Sequence, residues 1–383
     1  MISTMQKRII QIATPSMGEE EWMAVREPIE KGWLTQGPKV KEFEILFAEM
    51  HNVKHALAVS NCTTALHLAL LACGVGEGDE VIVPSFTWVA TANAVLYCNA
   101  TPVLIDIDLK TFNIDIDEIA KKVTPRTKAI VPVHLFGLCA DVDAIRKKFP
   151  QLRIVEDGAC ASGASLRGKP AGSLGDVGCF SFHPRKSVTC GEGGMLTSND
   201  DFIAEYLDKL RNHGASVSEE QRHLGPKPYL LSSFDIIGYN YRMTDLQGAV
   251  GFVQLKKLNR FIQERDQWAK YYSERLADIE WLRLPAIPKN DRHGWQSYVT
   301  FVDESRSPKK RNDIMEILQQ KGISTRPGTH AVHLLGAYTR KFGYKPNDFP
   351  NSFLADQCSM AIPLHNKMLK EDFDYVIEAL KSL

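Results

Sequence analysis

One lysine of this sequence stands in surroundings that suit a reactive amine. Lys186 follows the apolar run 177–182, which is typical of a buried strand. Pro184 breaks that run before the turn 190–194, which reads Cys-Gly-Glu-Gly-Gly. Glycine lets the backbone approach a ligand closely, and an amine held on such a loop can act as a nucleophile. A solvated Arg-Lys pair in a surface turn is the alternative, because most lysines lie on surfaces.

A carboxylate is the second candidate. Asp157 ends the segment 154–157, which reads Ile-Val-Glu-Asp. A carboxylate directly after a buried strand is costly unless a cation or several donors pair with it. It could cap a loop, or it could hold a protonated ring nitrogen, as chemistry on a pyridine cofactor requires.

Small polar residues follow another apolar run. Residues 56–59 are apolar, residues 60–64 read Ser-Asn-Cys-Thr-Thr, and a helical pattern runs over 65–73. Free backbone amides and hydroxyls at the start of a helix form a site for an anion such as phosphate. Ordinary N-capping by Ser60 or Asn61 is the alternative.

The segments that must position these groups alternate in type. Continuous runs of Val, Ile and Leu alternate with helical patterns between residues 55 and 155, which predicts a largely parallel sheet covered on both faces. In such sheets, ligands bind beyond the carboxyl ends of the strands. Four residues with useful chemistry fall at predicted strand ends: Thr63, Trp88, His134 and Asp157. This convergence is the main functional indication in the sequence.

The length of the chain and a change of pattern predict two domains. At 383 residues, the chain is too long for one minimal core. We expect a large domain over 1–250, including N-terminal helices, and a smaller α+β domain over 251–383. The polar stretch 215–233, which contains Gly-Pro-Lys-Pro, predicts a lid or a loop that contacts a partner.

Composition excludes several classes of function. The formal net charge is zero, so no electrostatic footprint for nucleic acid or an anionic membrane is visible. No apolar run approaches the ~20 residues that span a bilayer, and the N-terminus lacks the apolar core of a signal peptide. The eight cysteines are scattered, as in a reduced compartment. We therefore expect a cytoplasmic protein.

Histidines gather near the C-terminus, at positions 330, 333 and 365. Their spacing fits no standard zinc pattern with cysteine or carboxylate partners. We therefore predict no metal site.

Together these segments resemble the DegT/DnrJ/EryC1/StrS family of PLP-dependent nucleotide-sugar aminotransferases, over nearly the whole length. The resemblance implies the α/β fold of type I PLP-transferases. In that fold a large domain holds a mostly parallel seven-stranded sheet between helices, and a smaller C-terminal α+β domain follows. The motifs that carry it are Asn61-Cys62-Thr63-Thr64-Ala65-Leu66, Pro84-Ser85-Phe86-Thr87-Trp88, Glu156-Asp157, Phe180-Ser181-Phe182 with Lys186, Gly191-Glu192-Gly193-Gly194 and Gly238-Tyr239-Asn240-Tyr241-Arg242-Met243.

The resemblance gives the first candidates specific roles. Lys186 corresponds to the lysine that forms a Schiff base with pyridoxal 5'-phosphate (PLP) and later, as free amine, moves a proton. Asp157 corresponds to the carboxylate that keeps the pyridine nitrogen protonated, so that the ring acts as an electron sink. Trp88 corresponds to an aromatic ring stacked on the cofactor.

Further residues correspond to the phosphate contacts of the cofactor. Cys62 and Thr63, with the amides around them, and Ser181 match the phosphate cradle. Asn240 matches a phosphate contact that family members take from the neighbouring subunit. The resemblance therefore implies a homodimer with shared active sites.

The implied reaction is a ping-pong transamination between PLP and pyridoxamine phosphate (PMP). L-glutamate is the implied amino donor, and a keto group of a nucleotide-linked keto-deoxy sugar is the acceptor, for deoxyamino sugars of polysaccharides such as O-antigen. The motif at 191–194 resembles that of many 4-aminotransferases, which favours C4, and a 3-keto sugar is the closest rival. Candidate substrate contacts are Glu192, Asn212, His213, His330 and His333.

Cys160 departs from the family pattern, and Lys186 argues against one branch of the family. Cys160 stands where relatives often have Gln, Glu or His, and a thiol is a weaker donor. Relatives with dehydratase chemistry have a histidine in place of Lys186, so the lysine favours transamination over dehydration. Lys186 and Asp157 together argue against a non-catalytic regulatory homologue.

Overall fold

The computed structural model describes residues 8–217, 229 and 231–383. The strands are β1 (His55–Val59), β2 (Glu80–Pro84), β3 (Phe86–Thr87), β4 (Thr101–Ile105), β5 (Thr127–Ile130), β6 (Arg153–Asp157), β7 (Ser165–Leu166), β8 (Lys169–Pro170), β9 (Val177–Ser181), β10 (Gly194–Ser198), β11 (Leu282–Arg283), β12 (Tyr298–Val302), β13 (Arg326–Pro327), β14 (His330–Ala331) and β15 (Ser359–Ile362). The helices of the first half are α1 (Glu19–Ala24), α2 (Arg26–Lys31), α3 (Pro38–His51), α4 (Cys62–Ala72), α5 (Ala90–Tyr97), α6 (Ile116–Ala120), α7 (Val142–Lys148) and α8 (Asp201–Arg211). Those of the second half are α9 (Asp245–Leu276), α10 (Arg311–Gln320), α11 (Gly336–Phe342), α12 (Pro350–Cys358) and α13 (Lys370–Lys381).

A seven-stranded sheet forms the centre of the molecule, in the order β1-β10-β9-β6-β5-β2-β4. Strand β10 runs antiparallel to both of its neighbours, and the other pairs in the sheet are parallel. The predicted mostly parallel sheet is therefore confirmed. A consequence is that the carboxyl ends of β1, β2, β6 and β9 lie at the same edge.

The sheet is buried on both faces because its strands carry apolar residues in succession. In β2, every residue is buried. Val81 and Val83 pack into one apolar cluster and Ile82 into another, as expected when successive side chains point to opposite faces.

The C-terminal part builds a second sheet. Its four strands are antiparallel, in the order β11-β12-β15-β13. Helix α9, 32 residues long, passes through residue 250 and joins the two parts. The division into domains 1–250 and 251–383 stays a prediction.

Several local features differ from those predicted. The predicted N-terminal helices include two short ones, α1 and α2, which Val25 separates. Helix α4 begins at Cys62, three residues before the predicted start, because Asn61 caps it: its Oδ1 accepts a hydrogen bond from the Thr64 amide at 2.9 Å. Of the predicted lid, residues 218–228 and 230 lie outside the described part of the chain. No helix in the described ranges is long and apolar enough to cross a bilayer.

A buried ion pair holds the strand β1, which leads into α4. Arg211, the last residue of α8, donates through Nη1 to Oε1 of Glu44 and, at 2.7 Å, to the carbonyl of Ala58. Glu44 in turn accepts from the Ala58 amide at 2.9 Å. Both charged side chains are 4% exposed. The pair therefore joins α3, α8 and β1 immediately before the chain enters α4.

We expect the substitution Arg211→Met to lower the free energy of unfolding by about 3–5 kcal/mol, because Glu44 would stay buried without its buried cation and with only the exposed Lys41, 3.6 Å away, beside it. Lys209→Met is the matched control: Lys209 pairs with Glu205 at 36% and 66% exposure, and such a pair contributes about 0–1 kcal/mol. Urea unfolding of the two variants measures the difference. Equal losses would contradict a structural role for the buried pair.

Candidate active site

The strand ends bring the predicted residues to one edge of the sheet. Cys62 and Thr63 begin α4, just after β1, and Trp88 follows β2 and β3. Asp157 ends β6 and Ser181 ends β9. The strand ends that carry the predicted residues therefore lie at one edge of the sheet, as the sequence predicts.

Asp157 is a buried carboxylate with defined donors. The hydroxyl of Thr91 donates to its Oδ2 at 2.7 Å, and the Ala159 amide lies 3.2 Å from its Oδ1. The side chain is almost fully buried, and a buried charge needs such partners. Thr91 belongs to α5, so the helix after Trp88 fixes the orientation of the carboxyl group.

Lys186 lies in the loop that joins β9 to β10, and three contacts hold this loop. The Thr189 amide donates to Oε1 of Gln254 at 3.3 Å, and Arg265 Nη1 lies 3.4 Å from Oγ of Ser187. Gln254 and Arg265 both belong to α9. From the C-terminal part, Gln296 donates to the Arg185 carbonyl at 3.0 Å. The reactive amine therefore stands on a loop that is anchored on both sides of it.

The Lys186 ammonium contacts a sulfur and is influenced by the charge of a carboxylate. Its Nζ lies 3.3 Å from Sγ of Cys160. Burial lowers the pKa of Lys186, but Cys160, Cys62 and Asp157 together raise it above the ordinary value. Burial, reinforced by Asp157, raises the pKa of the Cys62 thiol well above its usual range. Lys186, Cys160, Cys62 and Asp157 therefore form one electrostatic cluster.

The first turn of α4 faces this cluster with backbone amides. The first amides of a helix have no intrahelical acceptor, and the Asn61 cap takes only that of Thr64. Those of Cys62 and Thr63 can therefore serve an anion. Strand β10 approaches closely here: a Cβ on Gly194 would lie 2.5 Å from the Asn61 carbonyl carbon. Only glycine fits there without displacing the helix start.

An exposed aromatic ring covers another side of the site. Trp88 is 61% exposed, and its ring lies 5.6 Å from that of His330 at an angle of 42°. Strand β14 pairs with β3 in antiparallel register, with His330 opposite Thr87. The C-terminal part therefore brings the predicted contact His330 next to Trp88.

His134, at the end of a neighbouring strand, stabilises the strand end that carries Asp157. His134 Nε2 donates to Oε2 of Glu156 at 2.8 Å, and its Nδ1 accepts from the Ala140 amide at 3.1 Å. Glu156 also accepts from the amides of Gly172, Leu174 and Gly175. Both side chains are fully buried. This network fixes the strand end that carries Asp157.

The predicted residues Asn212 and Asn240 lie in segments beside the end of β1, where the Ser60 amide donates to the Tyr241 carbonyl at 2.8 Å. Asn212 and Asn240 form an isolated antiparallel bridge, and Oδ1 of Asn212 accepts from Arg242 at 2.7 Å. His213 has a left-handed backbone, with φ 59°, and both His213 and Asn240 are exposed. Within the described residues, no hydrogen bond joins Asn240 to Lys186 or Asp157 of the same chain.

Two further predicted contacts differ in how accessible they are. The Glu192 side chain is exposed on the Lys186 loop, and its carbonyl accepts from Gln247 at 2.7 Å. His333 is fully buried: its Nδ1 lies 2.7 Å from the Ser85 hydroxyl and its Nε2 3.3 Å from the Pro346 carbonyl. Burial lowers the pKa of His333. Both ring nitrogens are thus occupied, which disfavours a substrate contact from His333.

Sequence reasoning missed Thr91 and left Cys160 without a role. Thr91 was detectable as a hydroxyl four residues after Thr87, in the first turn of the helix that follows Trp88. Cys160 was visible as a departure from the family motif, but its contact with Lys186 depends on two loops that meet in space. Among the described residues, no group of three or more His, Cys, Asp or Glu is placed to hold a metal ion.

Comparison with known proteins adds independent information. The model of the DegT/DnrJ/EryC1/StrS aminotransferase family matches residues 15–381. The spore coat polysaccharide biosynthesis protein SpsC of Bacillus subtilis is 39% identical over 99% of this chain and 98% of its own length. The GDP-perosamine synthase of Caulobacter vibrioides is 39% identical over 97% of both chains.

Solved structures agree with these matches. Spr1654 from Streptococcus pneumoniae in its PMP form superposes with a TM-score of 0.89 at 29% identity, over 98% of this chain and 97% of the other. The same protein in its PLP form gives a TM-score of 0.88. The likeness therefore extends over both sheets and the connections between them.

We expect Thr91→Val to lower the free energy of unfolding by about 1–3 kcal/mol, because it leaves an oxygen of buried Asp157 without its hydroxyl donor. Thr87→Val is the matched control, since the Thr87 hydroxyl is equally buried but contacts Thr91 at 3.0 Å rather than Asp157. Urea unfolding at pH 7 compares the two variants. A loss for Thr87→Val as large as that for Thr91→Val would contradict the pairing with Asp157.

Proposed function

The chain belongs to the DegT/DnrJ/EryC1/StrS aminotransferase family and is a PLP-dependent sugar aminotransferase, and from this we propose that it transfers an amino group from L-glutamate to a nucleotide-linked keto-deoxy sugar. The observation that carries the proposal is the cluster of Lys186 with Asp157 at the strand ends. An amine and a buried carboxylate in this arrangement serve a pyridine cofactor.

The residues at the site fit that cofactor by their chemistry. When bound, PLP supplies the electron sink that stabilises charge on the substrate carbon. We propose that Asp157, held by Thr91, pairs with the ring nitrogen, and that the exposed face of Trp88 stacks on the ring. The amides of Cys62 and Thr63, together with the Ser181 hydroxyl, are the proposed phosphate cradle.

Lys186 is the proposed catalytic residue. Its amine is the nucleophile that holds the cofactor, and the same nitrogen, once released, takes a proton from the donor carbon and returns one to the acceptor carbon. A single base is therefore sufficient for both half-reactions. The anchored loop keeps this nitrogen in place between them.

The proposed acceptor is a nucleotide-linked sugar with a keto group at C4. A relative with 39% identity carries GDP-perosamine in its name, which supports a nucleotide sugar, and the motif Gly191–Gly194 supports C4. Glu192 on that motif and His330 beside Trp88 are exposed at the site and are the favoured substrate contacts. Asn212 and His213 remain proposals for the same role.

We further propose a homodimer in which Asn240 of one copy reaches the phosphate of the other. Asn240 is exposed, and the nearby apolar residues Phe234 and Ile237 are 64% and 92% exposed. Exposed apolar surface of this kind is typical of an interface.

The eight free cysteines support a cytoplasmic location.

We expect the purified protein with PLP to show the visible absorbance of the lysine-bound cofactor, and L-glutamate to abolish it with release of 2-oxoglutarate. Lys186→Ala abolishes the absorbance and lowers the activity by at least about 10²–10⁴-fold, because the acid-base group is lost. Arg185→Ala is the control, since it removes a neighbouring exposed cation. A colourless wild type that ignores added PLP would indicate a non-catalytic homologue.

A panel of nucleoside-diphosphate keto sugars, with and without L-glutamate, identifies the acceptor by mass spectrometry. We expect 4-keto-6-deoxyhexoses to gain an amino group at the expense of glutamate. Conversion of a 3-keto sugar alone would overturn the choice of C4. A product that forms without consuming glutamate would indicate dehydration instead of transamination.

A further inference from the structure

The contact between Cys160 and Lys186 has no part in the proposed function. The sulfur lies 3.3 Å from Nζ of Lys186, although transamination uses only the nitrogen of this pair. Cys160 lies in the turn just after β6, and Lys186 lies in the loop after β9. These two strands are neighbours in the sheet, so the fold itself holds the thiol against the amine.

Cys160 differs from the other cysteines in its accessibility. All eight cysteines lie in the described part of the chain, and seven of them are buried while Cys160 is partly exposed. Oxidation of cysteine follows thiolate character and exposure. A small oxidant that enters the site therefore meets Cys160 before the others.

We propose that Cys160 and Lys186 form an oxidative modification site, in which a peroxide converts the pair into a covalent S–N bridge. In the first step the Cys160 thiolate attacks the peroxide, whose O–O bond breaks, and the products are a sulfenic acid and a hydroxide that takes a proton from the adjacent Lys186 ammonium and leaves as water. In the second step the Lys186 amine attacks the sulfur. The S–N bond forms, the S–O bond breaks, and the hydroxyl leaves as water with a proton from nitrogen. The sulfur loses two electrons, and hydrogen peroxide gains them.

The first step prepares the amine for the second. The pKa of Lys186 is lowered by burial and raised by Cys160 together with Cys62 and Asp157. In the first step this amine gives a proton to the departing hydroxide, and burial disfavours its charged form. The neutral nitrogen is then the nucleophile of the second step.

A thiol competitor is present but poorly suited. Cys62 belongs to the same electrostatic cluster, and a disulfide with Cys160 is the alternative product. Burial raises the pKa of the Cys62 thiol well above the usual value, and the thiolate is the form that attacks. The Lys186 nitrogen is therefore the favoured partner.

This inference rests on the proposed function, and it therefore specifies in which cofactor states of the enzyme the S–N bridge can form. The Lys186 nitrogen is engaged while it holds PLP and is free when the enzyme carries PMP or no cofactor. Bridge formation is therefore confined to the PMP-loaded and cofactor-free forms. Since the bridge consumes the catalytic nitrogen, it also prevents the return to the PLP form until a thiol reductant opens it.

The test exposes three forms of the full-length protein to hydrogen peroxide: PLP-loaded, PMP-loaded and cofactor-free. Free thiols are then alkylated, and trypsin digestion without reductant is followed by mass spectrometry. Cleavage yields residues 154–167, with Cys160, and residues 186–209, with a blocked Lys186 and Cys190. We expect to find these two peptides covalently joined, with a mass about 2 Da below the sum of the separate peptides. Cys190 should be alkylated in the joined species, and dithiothreitol should separate the two peptides.

Two variants separate the S–N bridge from a disulfide. Cys160→Ser removes the joined peptide, whereas Cys190→Ser retains it, because Cys190 is the thiol of the second peptide and is buried. We expect the joined peptide in the PMP-loaded and cofactor-free forms and its loss in the PLP-loaded form. Equal yields in all three forms of a protein that shows the absorbance of bound PLP would overturn the proposal. Cys160 recovered only as a higher acid or as a disulfide with Cys62 would overturn it as well.

These outcomes are distinct from a failure of the proposed function. A protein that turns over L-glutamate but never yields the joined peptide contradicts only the modification site. A cofactor-free protein that yields the peptide but never binds PLP contradicts only the aminotransferase proposal.

Discussion

The burial of one carboxylate is the constraint on which the rest of this site depends. Asp157 ends a strand in the middle of the sheet, where an unpaired charge would be unfavourable. The structure meets this requirement with Thr91 on one side and a neighbouring amide on the other. The residue before it, Glu156, is also buried and is satisfied by His134 and three backbone amides. Two successive carboxylates on opposite faces of one strand thus fix its carboxyl end.

The architecture, and the strand ends at which the candidate site residues stand, could be predicted from the sequence because they depend on local patterns. Apolar runs define the strands, and the direction shared by parallel strands places Thr63, Trp88 and Asp157 at one edge. The start of α4 was harder to predict, because capping by Asn61 extends the helix beyond its apolar pattern.

Contacts between distant segments could not be predicted in this way. The burial of His333 depends on Ser85, 248 positions earlier in the chain, and no local pattern reports such a pairing. The same holds for the neighbourhood of Trp88 and His330, which requires β14 to pair with β3. Cys160 and Lys186 likewise meet only because β6 and β9 are adjacent. In each case the local sequence shows the residue type, and the tertiary structure decides what it touches.

The anchoring of the Lys186 loop by α9 has a consequence for how this protein can vary. Gln254 and Arg265 stand eleven positions apart, about three turns, so both point from one side of the helix to the loop. One residue inserted between them would turn everything beyond it by ~100° and remove one of the two anchors. Surface loops tolerate changes of length, but the length of this stretch of helix must stay constant for both contacts to form. Its residue count, as much as its composition, is part of the active site.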